Sequence, residues 1–121
     1  MIEKPLVLIV GTDRGQLDST AQQLEAEGYA VVCAASLEDI DRVIAGQSNV
    51  RLALIDLTGF DQTIWDRCDS LRQQKIPYIV ITPQRSTAVQ RDSTEHGASG
   101  LLVKTVGVKE IVNYVHTLLG D

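Results

Sequence analysis

The sequence predicts an α/β fold in which five parallel strands alternate with five helices. Five short apolar runs rich in β-branched residues are separated by segments with helical spacing, which is typical of parallel sheets with crossover helices. The runs are Leu6–Val10, Ala30–Ala34, Leu52–Leu57, Tyr78–Thr82 and Gly100–Val103. The first, third and fourth are nearly continuous, as expected of strands covered on both faces. We therefore expect them at the centre of the sheet, and either of the other two runs could lie at an edge.

The helices follow from apolar residues that recur every three or four positions and from capping residues. The predicted helices run from about Gly15 to Gly28, from the N-cap Ser36 to Gly46, from about Gln62 to Gln74, from about Ser86 to Glu95, and along the apolar stripe between Val108 and Leu119. The fourth offers only Ala88 and Val89 as apolar contacts, so we expect it to be the most weakly attached. His96 and His116 are predicted on helix surfaces.

Length and composition exclude several classes of protein. The 121 residues suit one domain spanning positions 1–121, and a formal net charge of −5 argues against direct nucleic-acid binding. No apolar run approaches the roughly 20 residues of a membrane span, and no export signal precedes the first strand. We expect a cytoplasmic protein without membrane contact. The cysteines, Cys33 and Cys68, are predicted to be buried free thiols.

Polar residues follow the predicted strands where each of them ends. Asp56 closes the third run, Thr82 closes the fourth, Lys104 follows the fifth, and positions 11–13 follow the first. In an open parallel sheet these ends share one edge, where ligands and reactive groups gather. A carboxylate beside an amine and a hydroxyl suits phosphoryl capture, in which the carboxylate attacks phosphorus and positive charge stabilises the transition state.

With these residues in register with five alternating strands, the chain resembles the receiver domain of two-component response regulators. The segment GASGLLVKT also resembles the family's approach to its lysine. The resemblance spans nearly the whole chain and implies a (βα)5 flavodoxin-like three-layer fold with the parallel sheet order 2-1-3-4-5. It implies that Asp56 is the phospho-acceptor, Thr82 the switch hydroxyl and Lys104 the invariant lysine.

The resemblance also implies a cofactor and partners. Mg²⁺ would be held by Asp56, Asp13 and the backbone carbonyl of Thr58. A histidine kinase or phosphotransfer protein would supply the phosphoryl group. An output protein or a second copy would dock on the face formed by the fourth helix, fifth strand and fifth helix.

The sequence departs from the family pattern in three respects. Gly11 and Thr12 stand where receivers carry two acids that hold Mg²⁺, Thr105 replaces the proline after the lysine, and Leu101 replaces an aromatic switch residue. Losing an electrostatic stabiliser comparable to Mg²⁺ raises the activation free energy by on the order of 3–4 kcal/mol. The departures argue against Mg²⁺ binding and predict slow or absent phosphorylation.

Each candidate residue also has a purely structural interpretation. Asp56 could cap a nearby helix, Lys104 could be a solvated surface lysine, Thr82 could begin a turn, and Asp13 could cap the first helix.

Three functions compete. The first is a receiver that accepts phosphate on Asp56, and the second is a phosphorylation-independent pseudo-receiver that acts as a protein interaction module. The third, less favoured, is a flavodoxin-like cofactor binder using the loop GTDRGQ, against which the 4% aromatic content argues. The sequence contains no nucleophile–base pair and no Walker loop, so it does not predict an enzyme. The only catalysis that we expect is self-catalysed phosphoryl transfer onto Asp56.

Overall fold

In the computed structural model of the chain, the described residues form a parallel five-stranded sheet surrounded by five helices. The structure describes residues 5–46, 49–83, 86–103 and 108–119, without the side chain of Val108. The strands are β1 Leu6–Val10, β2 Ala30–Ala34, β3 Val50–Asp56, β4 Tyr78–Thr82 and β5 Gly100–Val103. Their order is β2-β1-β3-β4-β5 and every neighbouring pair is parallel. The predicted fold class and sheet order are confirmed, and the second and fifth strands lie at the edges.

The helices follow the strands as predicted, and their bounds differ from the predicted ones by at most two residues. They are α1 Arg14–Ala26, α2 Leu37–Gly46, α3 Ile64–Gln73, α4 Thr87–Glu95 and α5 Val108–Leu119. The first helix ends before Gly28, whose φ of 95° turns the chain towards β2. The third starts two residues later than predicted because Asp61 Oδ1 accepts the N–H of Thr63 at 2.9 Å and holds a turn there.

The core lies in two layers, one on each face of the sheet. Alternate residues of a strand point to opposite faces, so Leu8 of β1 packs in the layer covered by α2 and α3, while Ile9 packs in the layer covered by α1 and α5. Every residue of β1 and β4 is buried. Polar groups of the central strands can therefore reach solvent only at the strand ends. No helix of the described ranges is both long and apolar enough to span a bilayer.

The fourth helix is attached mainly through its C-terminal end. It buries only Ser93. The next residue after the helix, His96, has its Nδ1 2.6 Å from Asp69 Oδ1, and its ring stacks on Trp65 at a centroid distance of 5.1 Å. The Tyr78 hydroxyl donates to the His96 carbonyl at 2.7 Å. Contacts with α3 and β4 thus hold the end of α4 where apolar burial is scarce.

The predictions for the histidines and for one cysteine were wrong. Both histidines are half-buried in tertiary contacts, and His116 Nδ1 lies 2.7 Å from the Tyr29 hydroxyl. Helical spacing could not show this, because the partners come from distant segments. Cys68 is buried as predicted, and burial raises the pKa of its thiol to about 12. Cys33 is exposed, since β2 lies at the edge of the sheet.

Because β1 is a central strand, shortening the side chain of Leu8 tests the two-layer core. Leu8 is 0% exposed, and Leu8→Ala is expected to lower the free energy of unfolding by about 2–5 kcal/mol through lost burial and a cavity. Urea denaturation measures the change. Leu118, 38% exposed on α5, supplies the matched control, and Leu118→Ala should cost less than about 1 kcal/mol. Equal losses in the two variants would contradict the assigned core.

Candidate functional site

The carboxyl ends of the central strands bring the predicted acceptor and hydroxyl to one edge of the sheet. Asp56 is the last residue of β3 and pairs with Ile81, so Thr82 lies one step further along β4. Asp56 is half-buried and Thr82 is 2% exposed. The shared edge follows from parallel pairing, which aligns neighbouring strand ends. A partly desolvated carboxylate therefore lies on the strand next to a buried hydroxyl.

The end of β1 packs directly against this carboxylate. A Cβ added at Gly11 would lie 3.5 Å from the Cβ of Asp56 and 3.3 Å from Leu17 Cδ2. The segment that carries acids in receivers is thus next to Asp56, but here it contributes no side chain at position 11. Lys104 and Thr105 lie outside the described residues. The last residue of β5, Val103, pairs with Thr82, and the role of Lys104 stays a prediction.

Two hydrogen bonds hold the turn after β3. The Thr58 N–H donates to Asp56 Oδ1 at 3.0 Å, and Thr12 Oγ1 donates to the Thr58 carbonyl at 3.0 Å. Gly59 lies against Thr12 with a φ of 85°, and a Cβ there would collide with the threonine side chain. Thr12 thereby ties the end of β1 to the turn that orients Asp56. The sequence analysis missed this role, although the pair Thr58-Gly59 is a turn signal.

Asp13 caps α1. Its Oδ1 accepts the N–H of Gln16 at 3.2 Å, and its backbone is extended as expected of an N-cap residue. This is the structural interpretation that the sequence left open. Asp13 also shares with Asp56 a cavity of about 40 Å³ whose other walls include Gly11 and Gln16. The cavity floor is apolar and is formed by residues such as Ile9, Leu17, Leu54 and Ile111.

The oxygen atoms at this edge that could bind a metal form a poor magnesium site. Mg²⁺ requires near-octahedral oxygen ligands, usually including one or two carboxylates. Asp13 is engaged as a helix cap, and the Thr58 carbonyl already accepts the Thr12 hydroxyl. Within the described ranges, no three side chains of His, Cys, Asp or Glu come close enough together to hold a metal ion. The residues present do not fit a tightly held Mg²⁺.

Comparison with known proteins identifies the fold. No protein-family model and no curated protein matches the chain. Among solved structures, a CheY-like response regulator receiver domain protein from Methanospirillum hungatei JF-1 superposes with a TM-score of 0.88 at 27% identity, covering 98% of this chain and 95% of that one. The chain has the CheY-like receiver fold. The resemblance expected from the sequence is confirmed.

More distant solved structures share this receiver fold. A two-component response regulator from Clostridium difficile has a TM-score of 0.88 at 18% identity and covers 98% of both chains. A response regulator from Burkholderia pseudomallei, solved with a phosphorylated aspartic acid, a calcium ion and citrate, has a TM-score of 0.80 at 19% identity and covers 94% of this chain and 72% of that one. At these identities the likeness concerns the fold alone.

Two substitutions test the capping role of Asp13, because one removes the capping oxygen and the other removes only the charge. Asp13→Ala removes the acceptor for the Gln16 N–H and is expected to lower the free energy of unfolding by about 1 kcal/mol. Asp13→Asn keeps a capping oxygen and should stay within a few tenths of a kcal/mol of the parent. Chemical denaturation measures both. A loss in the Asn variant as large as in the Ala variant would show that the charge, not the cap, is what matters.

Proposed function

We propose that the chain is a receiver module of two-component signal transduction that accepts a phosphoryl group on Asp56. The observation that carries the proposal is the half-buried Asp56 carboxylate at the carboxyl end of the central strand β3, one step from the buried Thr82, within a CheY-like receiver fold. Asp56 directly follows the buried apolar stretch Leu52–Ile55 of β3, where charge is costly, so a carboxylate placed there favours a chemical role over a structural one.

The proposed reaction is a displacement at phosphorus. A carboxylate oxygen of Asp56 forms the new bond to phosphorus while the bond to the donor's histidine nitrogen breaks, and the electron pair stays on that nitrogen, which takes a proton from solvent. The Thr58 N–H holds Asp56 Oδ1 and so fixes the orientation of the carboxylate. Thr82 would donate to a phosphoryl oxygen and Lys104 would stabilise the added negative charge.

The reaction should be slow compared with that of receivers that carry two acids after the first strand. Gly11 supplies no ligand, and the two further candidates for Mg²⁺, Asp13 and the Thr58 carbonyl, are already hydrogen-bonded. Charge stabilisation then depends mainly on Lys104. The proposed donor is a histidine kinase or phosphotransfer protein, and the proposed output contact is the face formed by α4, β5 and α5.

Phosphorylation on Asp56 can be measured directly. Incubation with acetyl phosphate and Mg²⁺, followed by intact-protein mass spectrometry, is expected to show slow gain of one phosphoryl group per chain. Asp56→Asn should abolish that gain because an amide is not a nucleophile here. Asp18→Asn, an exposed acid on α1, is the matched control and should behave as the parent. A gain that persists in Asp56→Asn, or no gain in the parent, would refute Asp56 as the acceptor.

The missing acidic pair can be tested by restoring one acid. Thr12→Asp places a carboxylate where receivers carry one, and we expect the rate of Mg²⁺-dependent phosphorylation to rise on the order of tenfold. Thr12→Asn is the control, since it has the same shape, lacks the charge and equally loses the hydroxyl that bonds the Thr58 carbonyl. Rate constants from a mass-spectrometric time course decide the outcome. Equal rates in the two variants would show that this acid does not limit the reaction.

A second function, a phosphorylation-independent interaction module, is favoured by one specific observation. The hydrogen bonds from Thr12 to the Thr58 carbonyl and from the Thr58 N–H to Asp56 orient the carboxylate through the chain's own groups. A pseudo-receiver of this kind would bind its partner equally in the parent and in Asp56→Asn. Loss of tight partner binding in Asp56→Asn would contradict it.

A further inference from the structure

The cavity beside Asp56 runs from the surface into the core layer that α1 and α5 cover. One side of α1 lines it through Asp13, Gln16, Leu17 and Thr20, which are spaced as residues on one face of a helix are. Asp13 is exposed, whereas Thr20 is buried with 5% of its surface exposed. Seven residues of helix span about 10 Å. The cavity is therefore elongated, with an open acidic end and a buried end at Thr20.

The buried end carries a hydroxyl group that has no partner among the described residues. In α4 and α5, the Thr94 and Thr117 hydroxyls donate at 3.0 Å to the carbonyl four residues earlier, whereas the Thr20 hydroxyl makes no hydrogen bond to any described residue. Its oxygen is not sealed off, because Ser93 Oγ is the one fully enclosed side-chain oxygen or nitrogen without a hydrogen bond in the described ranges. The Thr20 hydroxyl therefore opens into the cavity that Thr20 lines. A ligand that pairs with it would make a hydrogen bond that the fold leaves unmade.

The open end of the cavity favours a cationic group. Asp13 and Asp56 are the charged residues in the described lining, which contains no lysine, arginine or histidine. Asp13 Oδ1 accepts the Gln16 N–H, while its Oδ2 makes no hydrogen bond to a described residue. An ionised carboxylate has about four acceptor sites, so Asp13 can cap α1 and bind a cationic donor at the same time. An ammonium group needs only such acceptors, unlike Mg²⁺ with its octahedral requirement.

The walls and the volume determine the length and polarity of a ligand that fits. Between the two ends the walls are apolar, with Ile9, Leu17 and Leu54, and they favour methylene groups. A volume of about 40 Å³ has room for about three water-sized groups, which suits a short chain and not a ring system or a nucleotide. Two hydrogen bonds of about 3 Å each leave ~4–5 Å of the roughly 10 Å between Asp13 and Thr20. A stem of three methylene groups spans that distance between a nitrogen and an oxygen.

We propose that the cavity binds a short primary amino alcohol. Its ammonium group donates to Asp13 at the open end, its methylene stem lies along Leu17, and its hydroxyl group pairs with Thr20 Oγ1. A diamine fits less well, because its second charge would enter the apolar layer without a partner. The binding requires no phosphoryl transfer and is distinct from the function proposed for Asp56.

Three probes separate the two ends of the ligand. Propanolamine carries an amine and a hydroxyl at opposite ends of a three-carbon chain, propylamine lacks the hydroxyl, and propanol lacks the amine. Each is titrated into the ¹⁵N-labelled protein at neutral pH, and amide chemical shifts are followed by NMR. We expect propanolamine to bind about fivefold more tightly than propylamine, which is the ratio expected of one hydrogen bond.

Propanolamine should exceed propanol by a larger factor, because the hydrogen bond to Asp13 is charge-assisted. The shifts are expected at Gln16, Thr20 and Ile111, which line the cavity. Equal affinities of the three probes, shifts confined to residues outside the cavity, or no binding at the highest concentration at which the protein stays folded would overturn the proposal.

Variants assign each preference to one residue. Thr20→Val keeps the shape and removes the hydroxyl, so propanolamine and propylamine should bind it equally, whereas Thr117→Val, the same change at an exposed position of α5, should keep the preference. Asp13→Asn keeps a capping oxygen and should weaken the preference over propanol. Asp18→Asn, which alters an exposed acid on α1, should leave that preference unchanged.

An undiminished hydroxyl preference in Thr20→Val, or an undiminished amine preference in Asp13→Asn, would overturn the proposal. The unfolding temperature of Thr20→Val is expected to be unchanged or higher, because an unpaired hydroxyl is removed. A marked loss of stability would reveal an internal partner for Thr20 and would equally overturn it. None of these measurements involves phosphorylation, so failure of Asp56 as the acceptor would leave their outcome unaffected.

Discussion

Burial of the central strands on both faces is the constraint on which the rest of the structure depends. Helices cover β1, β4 and the stretch Leu52–Ile55 of β3 on either side, so a polar side chain there has no solvent to face except beyond the carboxyl end of the strand. Parallel pairing places those ends along one edge. Asp56 and Thr82 therefore occupy the positions where a polar side chain in these strands costs least, and the same geometry makes them neighbours.

Hydrogen bonds at this edge take the place that metal ligands have in the receivers the chain resembles. At the end of β1, the Thr12 hydroxyl donates to the Thr58 carbonyl in the turn after β3, and the Thr58 N–H donates to the Asp56 carboxylate. These hydrogen bonds are made by the chain's own uncharged groups and orient the Asp56 carboxylate. A threonine hydroxyl cannot offset the charge that would develop in the proposed phosphoryl transfer.

The fourth helix differs from the others in how it is held. Ser86 caps its first turn by accepting the Val89 N–H at 3.1 Å, while His96 fixes its far end against Asp69 and Trp65. Little apolar surface between these points is buried, which is typical of elements that open locally at low free energy.

The sequence by itself determined the element order, the central and edge strands, and the placement of Asp56 and Thr82 at strand ends, because hydrophobic periodicity and parallel topology are local and general rules. It also located the Ser36 cap, which accepts the Asp39 N–H. Only the tertiary structure decided that Asp13 caps α1, that Thr12 bonds the Thr58 carbonyl, and that His96 lies against Trp65. Those contacts join segments far apart in the chain or choose between two local interpretations, and side-chain geometry, which no spacing pattern encodes, settles them.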